Sequence, residues 1–392
     1  MRKKFIYNTL VDEENLCNMV HEKMFVSKTL DNHGKLVIYG RRDSGKTSLI
    51  KNVIQPLWHK KNPSGFFLYI ELFGITTLRE MSERFTLYFN KAYGKSFPIK
   101  DAVSSLFSTL KGIRPTISME SNGTPSVSFS TGSGEDNIID FRKILENVQA
   151  IFDTGIPSAI VIDEFQDVAS VPQAEALLRE SLQNLRFDIP IILMGSKRHL
   201  LTKIFQKPNA PFFNWGDRLD IQYIKFEEYN PYILERWDGI LSASDDTLVY
   251  LQKTLNRNPE AINMLSAHIL GHYMDKKKEL EEFQEGRDKI FTVSPPDIDG
   301  FIRELVERRQ SEFDNYLQLY TMKERSFLTY LAKRGIIPHP YSKEVSQKLN
   351  ISIQGLRGII EKLLDNADIY KEDEGFVLSK PLLMHYLRSF RL

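Results

Sequence analysis

The segment that most constrains the fold of this chain is Gly40-Arg41-Arg42-Asp43-Ser44-Gly45-Lys46-Thr47. It has the pattern G-x-x-x-x-G-K-[ST]. An apolar, β-branched run at residues 36–39 precedes it, and a helical pattern at residues 47–57, disturbed at Pro56, follows it. The two glycines let the backbone curl without a clash at Cβ, so that successive N–H groups and the helix N-terminus face an anion. A strand, this loop and a helix in that order predict a phosphate-binding loop.

The last residues of this loop have specific expected roles. Lys46 is expected to reach the β- and γ-phosphates, and Thr47 to offer its hydroxyl to Mg²⁺, which prefers hard oxygen ligands. The expected nucleotide contacts are Gly40, Arg41, Arg42, Asp43, Ser44, Gly45, Lys46, Thr47 and Ser48.

Asp163 and Glu164 follow the apolar run Ala159-Ile160-Val161-Ile162. Because buried carboxylates require compensation, a strand that delivers two of them at its end indicates that they are used. Asp163 is expected to contact Mg²⁺ through water, and Glu164 to orient or deprotonate the attacking water. Taken alone, the pair would as easily be exposed acids at a strand end, but the phosphate loop favours the catalytic interpretation.

Ser196 follows Gly195 at the end of another apolar run, residues 189–194. A small polar side chain there is placed to sense the γ-phosphate or to hold the attacking water, although Gly-Ser after a strand is also an ordinary turn. The guanine signature Asn-Lys-x-Asp follows none of the predicted strands, since Asn90-Lys91 lies in a predicted helix. We therefore expect ATP, with Mg²⁺, as the cofactor.

Short continuous apolar runs alternate with helical patterns through the first part of the chain. Strands are expected at residues 36–39, 66–72, 158–162, 189–194 and 219–226, with helices at 78–93 and 138–152. Continuous apolar strands are typical of a parallel sheet covered on both faces by helices. The Ser-, Gly- and Asn-rich segment 112–136 interrupts the pattern and is expected to be an exposed hairpin or a mobile loop. From residue 231 onward the pattern is helical.

The composition is that of an ordinary globular protein of several domains. The chain has 392 residues, 42% hydrophobic and 26% charged, and a formal net charge of +1, so a nucleic acid would have to be bound by a local patch. Its one cysteine, Cys17, excludes an internal disulfide, and no Cys/His spacing indicates zinc, that of His268 and His272 included. No export signal and no apolar run of about 20 residues is seen, so a cytoplasmic protein without a membrane partner is expected.

The last part of the chain has the pattern of a winged helix. Helices are expected at residues 324–333, 342–349 and 353–364, and a hairpin wing at 369–378. Residues 321–392 contain 12 lysine and arginine residues against 8 aspartate and glutamate residues, a net +4 that permits binding of duplex DNA without demanding it. The expected DNA contacts are Lys343, Lys348, Gln354, Arg357 and Lys362. Glu372-Asp373-Glu374 in the wing opposes such contacts, and docking of a protein partner stays the alternative.

Several of these segments together resemble the archaeal-type ATPase family, a branch of the P-loop proteins related to the STAND and AAA+ classes. The resemblance rests on Tyr39-Gly40-Arg41-Arg42, on Ile162-Asp163-Glu164-Phe165-Gln166, on Met194-Gly195-Ser196 followed by Phe205, and on Pro211-Phe212-Phe213. It covers nearly the whole chain. It implies an ATPase core, a helical lid and a C-terminal winged helix-turn-helix, with ATP as a conformational switch or assembly trigger.

The chain departs from that family in its lid. Such proteins usually carry Gly-Gly-x-Pro or Gly-x-Pro near the nucleotide, whereas this chain has Asn256-Arg257-Asn258-Pro259. Two arginines are candidates for nucleotide contacts: Arg257 in the lid, and Arg218, which would act across a subunit interface as an arginine finger. Ordinary exposed arginines are the alternative in both cases.

The expected fold class is α/β: a P-loop NTPase parallel sheet of the AAA+ or STAND type, followed by a helical lid and a winged helix-turn-helix. The expected domains are residues 1–228 for the ATPase core, 229–292 for the lid, and 293–392 for a linker helix and the winged helix. The expected function is binding and slow, partner-stimulated hydrolysis of Mg-ATP, which drives a conformational or assembly switch coupled to DNA or to a protein partner. A non-catalytic ATP-gated oligomeric scaffold and a DNA-binding regulator stay open as alternatives, as does a nucleotide-dependent homo-oligomer.

Overall fold

The computed structural model describes residues 3–97, 107–119, 125–130, 138–186, 188–282 and 289–389. They pack into two units. The first, here called the sheet unit, consists of the described residues of Val20–Arg41 and Lys46–Ile221. The second, the helical unit, consists of those of Met1–Met19, Arg42–Gly45 and Gln222–Leu392. Each unit has its own apolar core.

A parallel sheet forms the centre of the sheet unit. Strands β1 to β7 are Lys35–Tyr39, Phe66–Glu71, Arg114–Met119, Pro125–Ser130, Ser158–Asp163, Ile191–Gly195 and Asp217–Asp220. Five of them form the sheet, in the order β2-β5-β6-β1-β7, and every neighbouring pair is parallel. The predicted α/β class with a parallel sheet is confirmed, and β5 and β6 are buried along their whole length, as continuous apolar runs indicate.

Strand β7, the last strand of the parallel sheet along the chain, ends earlier than the sequence predicts. It was expected to run to residue 226, but β7 ends at Asp220, and a helix begins at Phe226. The reason is the length of its neighbour: β7 pairs only with β1, and the final bond of the ladder joins the Ile221 N–H to the Tyr39 carbonyl, 2.7 Å apart. Beyond Tyr39 the chain enters the glycine-rich loop and offers no further ladder partner.

Helices surround the sheet. In chain order, α1 to α7 are Val20–Asp31, Lys46–Ser48, Gln55–Lys61, Leu78–Ser96, Phe141–Asp153, Ala174–Gln183 and Arg198–Gln206. A π-helical segment, Leu49–Ile54, joins α2 to α3. The sequence predicts that Pro56 disturbs the helix, but the helical winding continues past it to Lys61. Pro56 occupies the first turn of α3, where its missing N–H has no cost. The Gln55 N–H bonds to the Ile50 carbonyl, the wider winding of a π-helix.

The polar segment at residues 112–136 contains a two-stranded hairpin. Strands β3 and β4 pair antiparallel, and residues 120–124 and 131–137 lie outside the described part of the chain. Phe129 of β4 is buried, with its ring centroid 4.7 Å from that of Tyr93 and 5.6 Å from that of Phe89, both on α4. The hairpin is therefore anchored to the core by an aromatic contact and is not wholly exposed.

The helical unit begins with α8, Phe226–Trp237, which binds the N-terminal segment of the chain. It continues through β8 at Leu241–Ser242, α9 at Asp245–Thr254, α10 at Pro259–Glu282, β9 at Phe291–Thr292, α11 at Pro295–Arg308 and α12 at Gln310–Gln318. The guanidinium of Arg236 on α8 is 1% exposed and donates to the Lys4 carbonyl at 3.1 Å and the Glu14 carbonyl at 3.3 Å.

The C-terminal elements of the helical unit are three helices, a hairpin and a last helix. They are α13 at Met322–Arg334, α14 at Lys343–Leu349, α15 at Ile353–Asp365, β10 at Ile369–Glu372, β11 at Gly375–Leu378 and α16 at Pro381–Ser389. Side-chain hydroxyls of Thr321, Ser342 and Ser352 cap the first three helices. Strands β10 and β11 pair antiparallel, with Ile369 opposite Leu378.

No helix in the described part of the chain is long and apolar enough to cross a membrane. Nor do the described residues include a group of three or more His, Cys, Asp or Glu side chains arranged to hold a metal ion. His268 donates to or accepts from Glu304 at 3.2 Å, with its ring 5.7 Å from that of Phe301.

Candidate functional site

Lys46 lies where β1, the glycine-rich loop and α2 meet, and its side chain curls back onto the backbone of that loop. Its ammonium Nζ donates to the Gly40 carbonyl at 2.9 Å and to the Arg41 carbonyl at 2.7 Å, and the residue is 6% exposed. A buried cation held by two backbone carbonyls has partners that an anionic oxygen can replace, because both are neutral acceptors.

Thr47 and Asp163 are joined by a hydrogen bond. The Thr47 hydroxyl donates to Asp163 Oδ2 at 2.9 Å, and the hydroxyl of Tyr69, on β2, donates to the same oxygen. Asp163 is 2% exposed. Burial raises its pKa above the usual range and the charge of Glu164 adds to that effect, while the hydrogen bonds and the nearby Lys46 ammonium act in the opposite direction.

Glu164 has a backbone and a side chain that are both held in place. Its φ is 52° and its ψ 40°, the left-handed region that a residue with a Cβ adopts only under constraint. Its carboxylate Oε2 accepts from Ser196 Oγ at 2.9 Å and from Gln166 Nε2 at 2.5 Å. Ser196 follows β6, so the structure brings together the serine and the glutamate that the sequence placed after different strands.

These side chains meet because the sheet is parallel. Tyr69, Asp163 and Ser196 lie at or near the carboxyl ends of β2, β5 and β6, which are consecutive in the sheet. Sequence reasoning named Asp163 and Ser196 but missed Tyr69 and Gln166. The available signals were a hydroxyl within the otherwise apolar run Phe66-Phe67-Leu68-Tyr69-Ile70, and a glutamine two residues after the glutamate.

The tip of the glycine-rich loop, Arg42–Gly45, packs within the helical unit. Gly45 has φ 86°, a backbone conformation that residues with a Cβ rarely adopt, so the backbone favours glycine at this position. The side chains of Asp43 and Glu260 share a hydrogen bond. Burial raises the pKa of Glu260, and the Asp43 carboxyl raises it further.

The two candidate arginines are placed differently. Arg257 stacks between the rings of Tyr223 and Phe226, 4.4 Å from each centroid, and its NH2 group donates to the Ile224 carbonyl at 2.6 Å. Its guanidinium is thus used to hold the segment before α8. Arg218, on β7, is exposed, and its NH2 group donates to the Phe205 carbonyl at 3.4 Å.

The expected DNA contacts lie on α14 and α15. Lys343, Lys348, Gln354 and Arg357 are exposed. Lys362 is engaged instead with Glu324, 2.8 Å away, which itself accepts from the Thr321 N–H at the start of α13. Lys362 therefore joins α15 to α13, a structural contact that the sequence analysis did not foresee.

The part of the chain that carries this geometry is similar to a known domain type: residues 29–204 match the family model for the AAA domain. The stretch holds the glycine-rich loop, Asp163, Glu164 and Ser196. No curated protein matches the chain by sequence.

Two solved structures show that the likeness in fold extends over the whole chain. The Walker-type ATPase PABY2304 of Pyrococcus abyssi is 14% identical, with a TM-score of 0.63 over 98% of this chain and 99% of that one. The Aeropyrum pernix ORC2 protein, determined as ADPNP–ADP complexes, is 15% identical, with a TM-score of 0.51 over 98% of this chain and 96% of that one. The match to the AAA domain implies nucleotide binding, and the predicted resemblance to archaeal-type P-loop ATPases is confirmed at the level of the fold.

Proposed function

We propose that this chain binds and hydrolyses Mg-ATP and that the nucleotide acts as a conformational or assembly switch. The observation that carries the proposal is the cluster at the strand ends: Lys46 on the loop carbonyls, Thr47 bonded to Asp163, and Glu164 bonded to Ser196. These are the groups that in-line phosphoryl transfer to water requires, and they occupy one edge of one sheet.

The residues fit a magnesium ion. A hydroxyl oxygen and a carboxylate oxygen lie 2.9 Å apart, and both are the hard ligands that Mg²⁺ prefers. Thr47 would hold the ion directly and Asp163 through water. When bound, the ion neutralises charge on the β- and γ-phosphates.

The protein's own side chains supply the rest of the chemistry. Lys46 exchanges its carbonyl partners for phosphate oxygens and offsets the charge that develops in the transition state. Glu164 orients the attacking water and accepts its proton, and Ser196 fixes the carboxylate that does so. The other loop residues from Gly40 to Ser48 offer backbone N–H groups to the phosphates.

The C-terminal elements α13 to α15 with the β10–β11 hairpin have the order of a winged helix, and we propose that this module passes the nucleotide state to DNA or to a protein partner. Lys343, Lys348, Gln354 and Arg357 are its exposed candidates for duplex contacts. The domain boundaries near residues 228 and 292 and a nucleotide-dependent homo-oligomer also stay predictions.

The second candidate function is an ATP-gated scaffold that does not turn over. It is favoured by the firm engagement of Arg257 with the Ile224 carbonyl, since a lid arginine held in this way does not serve the γ-phosphate. Light scattering with and without a non-hydrolysable ATP analogue measures assembly directly, and a DNA-binding regulator is distinguished by duplex affinity that is independent of turnover.

The deciding experiment is steady-state ATP hydrolysis with and without duplex DNA, on the wild type and on three variants. Lys46→Ala should lose ATP binding, and Glu164→Gln should bind ATP without turning it over. Lys60→Ala, an exposed lysine of α3, is the matched control and should behave as wild type. Tight ATP binding by Lys46→Ala would refute the site, while ATP binding without turnover in the wild type would favour the scaffold.

A further inference from the structure

We propose that Gln166 is a positioning residue for hydrolysis: its side-chain amide holds the Glu164 carboxylate in the orientation that activates water. The proposal rests on the proposed function, because it assigns to Glu164 the role given above. It adds a residue that is neither in the phosphate loop nor among the expected catalytic groups.

Gln166 is fully buried, with 0% exposure, in the 3-10 helix Phe165–Ser170 that directly follows Glu164. Its Nε2 donates to Glu164 Oε2 at 2.5 Å and to Asp167 Oδ1 at 3.2 Å. Both partners are carboxylate oxygens, which only accept, so the NH2 end of the amide must face them. The orientation of the amide follows from the chemistry of its partners.

The other end of the amide is fixed by space. Gln166 Oε1 has no hydrogen-bond partner among the described residues, and it faces Gly195, the last residue of β6. A Cβ at position 195 would lie 2.0 Å from that oxygen, closer than any real contact. The absence of a side chain at Gly195 therefore leaves room for Gln166. A buried oxygen without a hydrogen-bond partner is unfavourable, and this arrangement is the one that directs the NH2 group toward the two carboxylates.

The anchor of the amide is rigid. Asp167 is 5% exposed and accepts from the Gly74 N–H at 2.8 Å, in the loop after β2, and from Lys197 Nζ at 3.2 Å. Gln166 is thus held by the Asp167 carboxylate, which is itself hydrogen-bonded to residues that follow β2 and β6. The Glu164 carboxylate is held by two donors on one oxygen, Ser196 from one side and Gln166 from the other.

This arrangement predicts an effect on turnover that is separate from ATP binding. Gln166 contacts neither the phosphate loop nor Thr47 in any of its hydrogen bonds, so its loss should leave the affinity for Mg-ATP unchanged. Glu164 without its second donor samples other rotamers, and the fraction of time in which it can activate water falls.

The test compares Gln166→Met with wild type. Methionine has nearly the same length and volume, so the core stays filled while the donor is removed. We expect kcat to fall about 10- to 100-fold, the loss that follows from removing a hydrogen bond to a charged group. The ATP dissociation constant, measured with a fluorescent ATP analogue, should stay within about 2-fold of wild type. Gln183→Met, at the exposed end of α6, is the control for the substitution itself.

Gly195→Ala provides a second arm that keeps the glutamine. The added methyl group displaces the amide, so this variant should lose kcat to a similar extent. In a Gln166→Ala background the amide is gone, and Gly195→Ala should then cost little more, a non-additivity that a general loss of packing would not produce. This arm also decides the question if Gln166→Met does not fold.

The outcomes separate this proposal from the one on which it rests. If the wild type hydrolyses ATP and Gln166→Met keeps its kcat, or loses kcat and ATP affinity together, the positioning role is refuted and the proposed function stands. If kcat rises, Gln166 restrains Glu164 and the proposal is equally wrong. If the wild type has no turnover, the proposed hydrolysis fails and this proposal fails with it.

Discussion

Replacing Arg236 by methionine should destabilise the helical unit, because one buried guanidinium holds the N-terminal segment to α8. Besides the carbonyls of Lys4 and Glu14, Arg236 donates to Asn15 Oδ1 at 3.1 Å, and its guanidinium carbon lies 3.4 Å from the centroid of the Tyr232 ring. Because the residue is only 1% exposed, bulk water does not compete with the guanidinium for these partners.

The magnitude follows from these contacts. The three hydrogen bonds to the N-terminal segment at about 1 kcal/mol each, and a buried cation–π contact of about 1–2 kcal/mol, give roughly 4–5 kcal/mol. Methionine spares the desolvation of a charge, and the freed carbonyls regain water if the segment detaches, so a net loss of about 3 kcal/mol is expected. With a urea m-value of about 2 kcal/mol/M, the unfolding midpoint should fall by about 1.5 M.

The assay is urea unfolding followed by tryptophan fluorescence. The chain has three tryptophans, of which Trp237 adjoins Arg236 on α8, so a Trp58→Phe, Trp215→Phe background makes the signal specific to the helical unit. Arg303→Met, an exposed arginine of α11, is the matched control. A midpoint within about 0.2 M of the parent would refute the reasoning, since it would mean that the carbonyls find equivalent partners without the guanidinium.

Three further predictions follow from single contacts. Tyr69→Phe removes a donor to Asp163 Oδ2 and should raise the Mg²⁺ concentration needed for half-maximal turnover by about 10-fold or more, the contribution of one hydrogen bond to a charged group. An unchanged Mg²⁺ titration would contradict this. Burial raises the pKa of Cys17 to about 12, so the thiol should resist alkylation at about pH 8 in the native protein and react once unfolded; rapid labelling of the native protein would be inconsistent with this burial. Phe129→Ala should destabilise the sheet unit by about 3–5 kcal/mol, measured by the thermal midpoint, whereas a loss below about 1 kcal/mol would mean that the hairpin is not anchored at Tyr93.

The sequence predicts those parts of the fold that rest on local signals. The strand before Gly40, the loop and the helix after Lys46 each carry their own pattern, and so does the apolar strand that ends at Asp163. Glu164 and Ser196, which the sequence places after different strands, share a hydrogen bond because parallel strands align their carboxyl ends.

What the sequence does not predict depends on neighbours that are distant along the chain. The end of β7 is set by the length of β1, which no pattern within residues 219–226 reveals. Gln166 is as polar as any loop glutamine, and only the missing side chain of Gly195 explains how it is buried. Arg236 lies on an amphipathic helix where a surface position is the ordinary expectation, and its partners in the N-terminal segment are more than 200 residues away, as its 232-residue separation from Lys4 shows.

The turn Asn256-Arg257-Asn258-Pro259, which the sequence predicts to lie in a lid, shows how a departure from a family pattern acquires a physical meaning. Asn256 and Arg257 have φ values of 50° and 52°, two consecutive residues in the left-handed region where glycine has no steric cost. A Gly-Gly pair at this place satisfies the backbone without further support. Here Asn256 donates from Nδ2 to the Leu378 carbonyl at 3.2 Å and Arg257 stacks on two rings, so side-chain contacts offset the strain.

The charges on α15 bear on what the C-terminal module binds. Gln354 and Arg357 are exposed near its N-terminus, but Glu361 and Asp365 continue the same exposed face toward its C-terminus. A duplex would therefore meet favourable charge only at the first half of the helix, with Lys343 and Lys348 supplying phosphate contacts from α14. Since Lys362 is paired with Glu324, at most three cations remain to displace counterions, and the slope of log affinity against log salt should be no steeper than about −3. A steeper slope would place the DNA surface elsewhere, and no salt-dependent affinity would favour a protein partner.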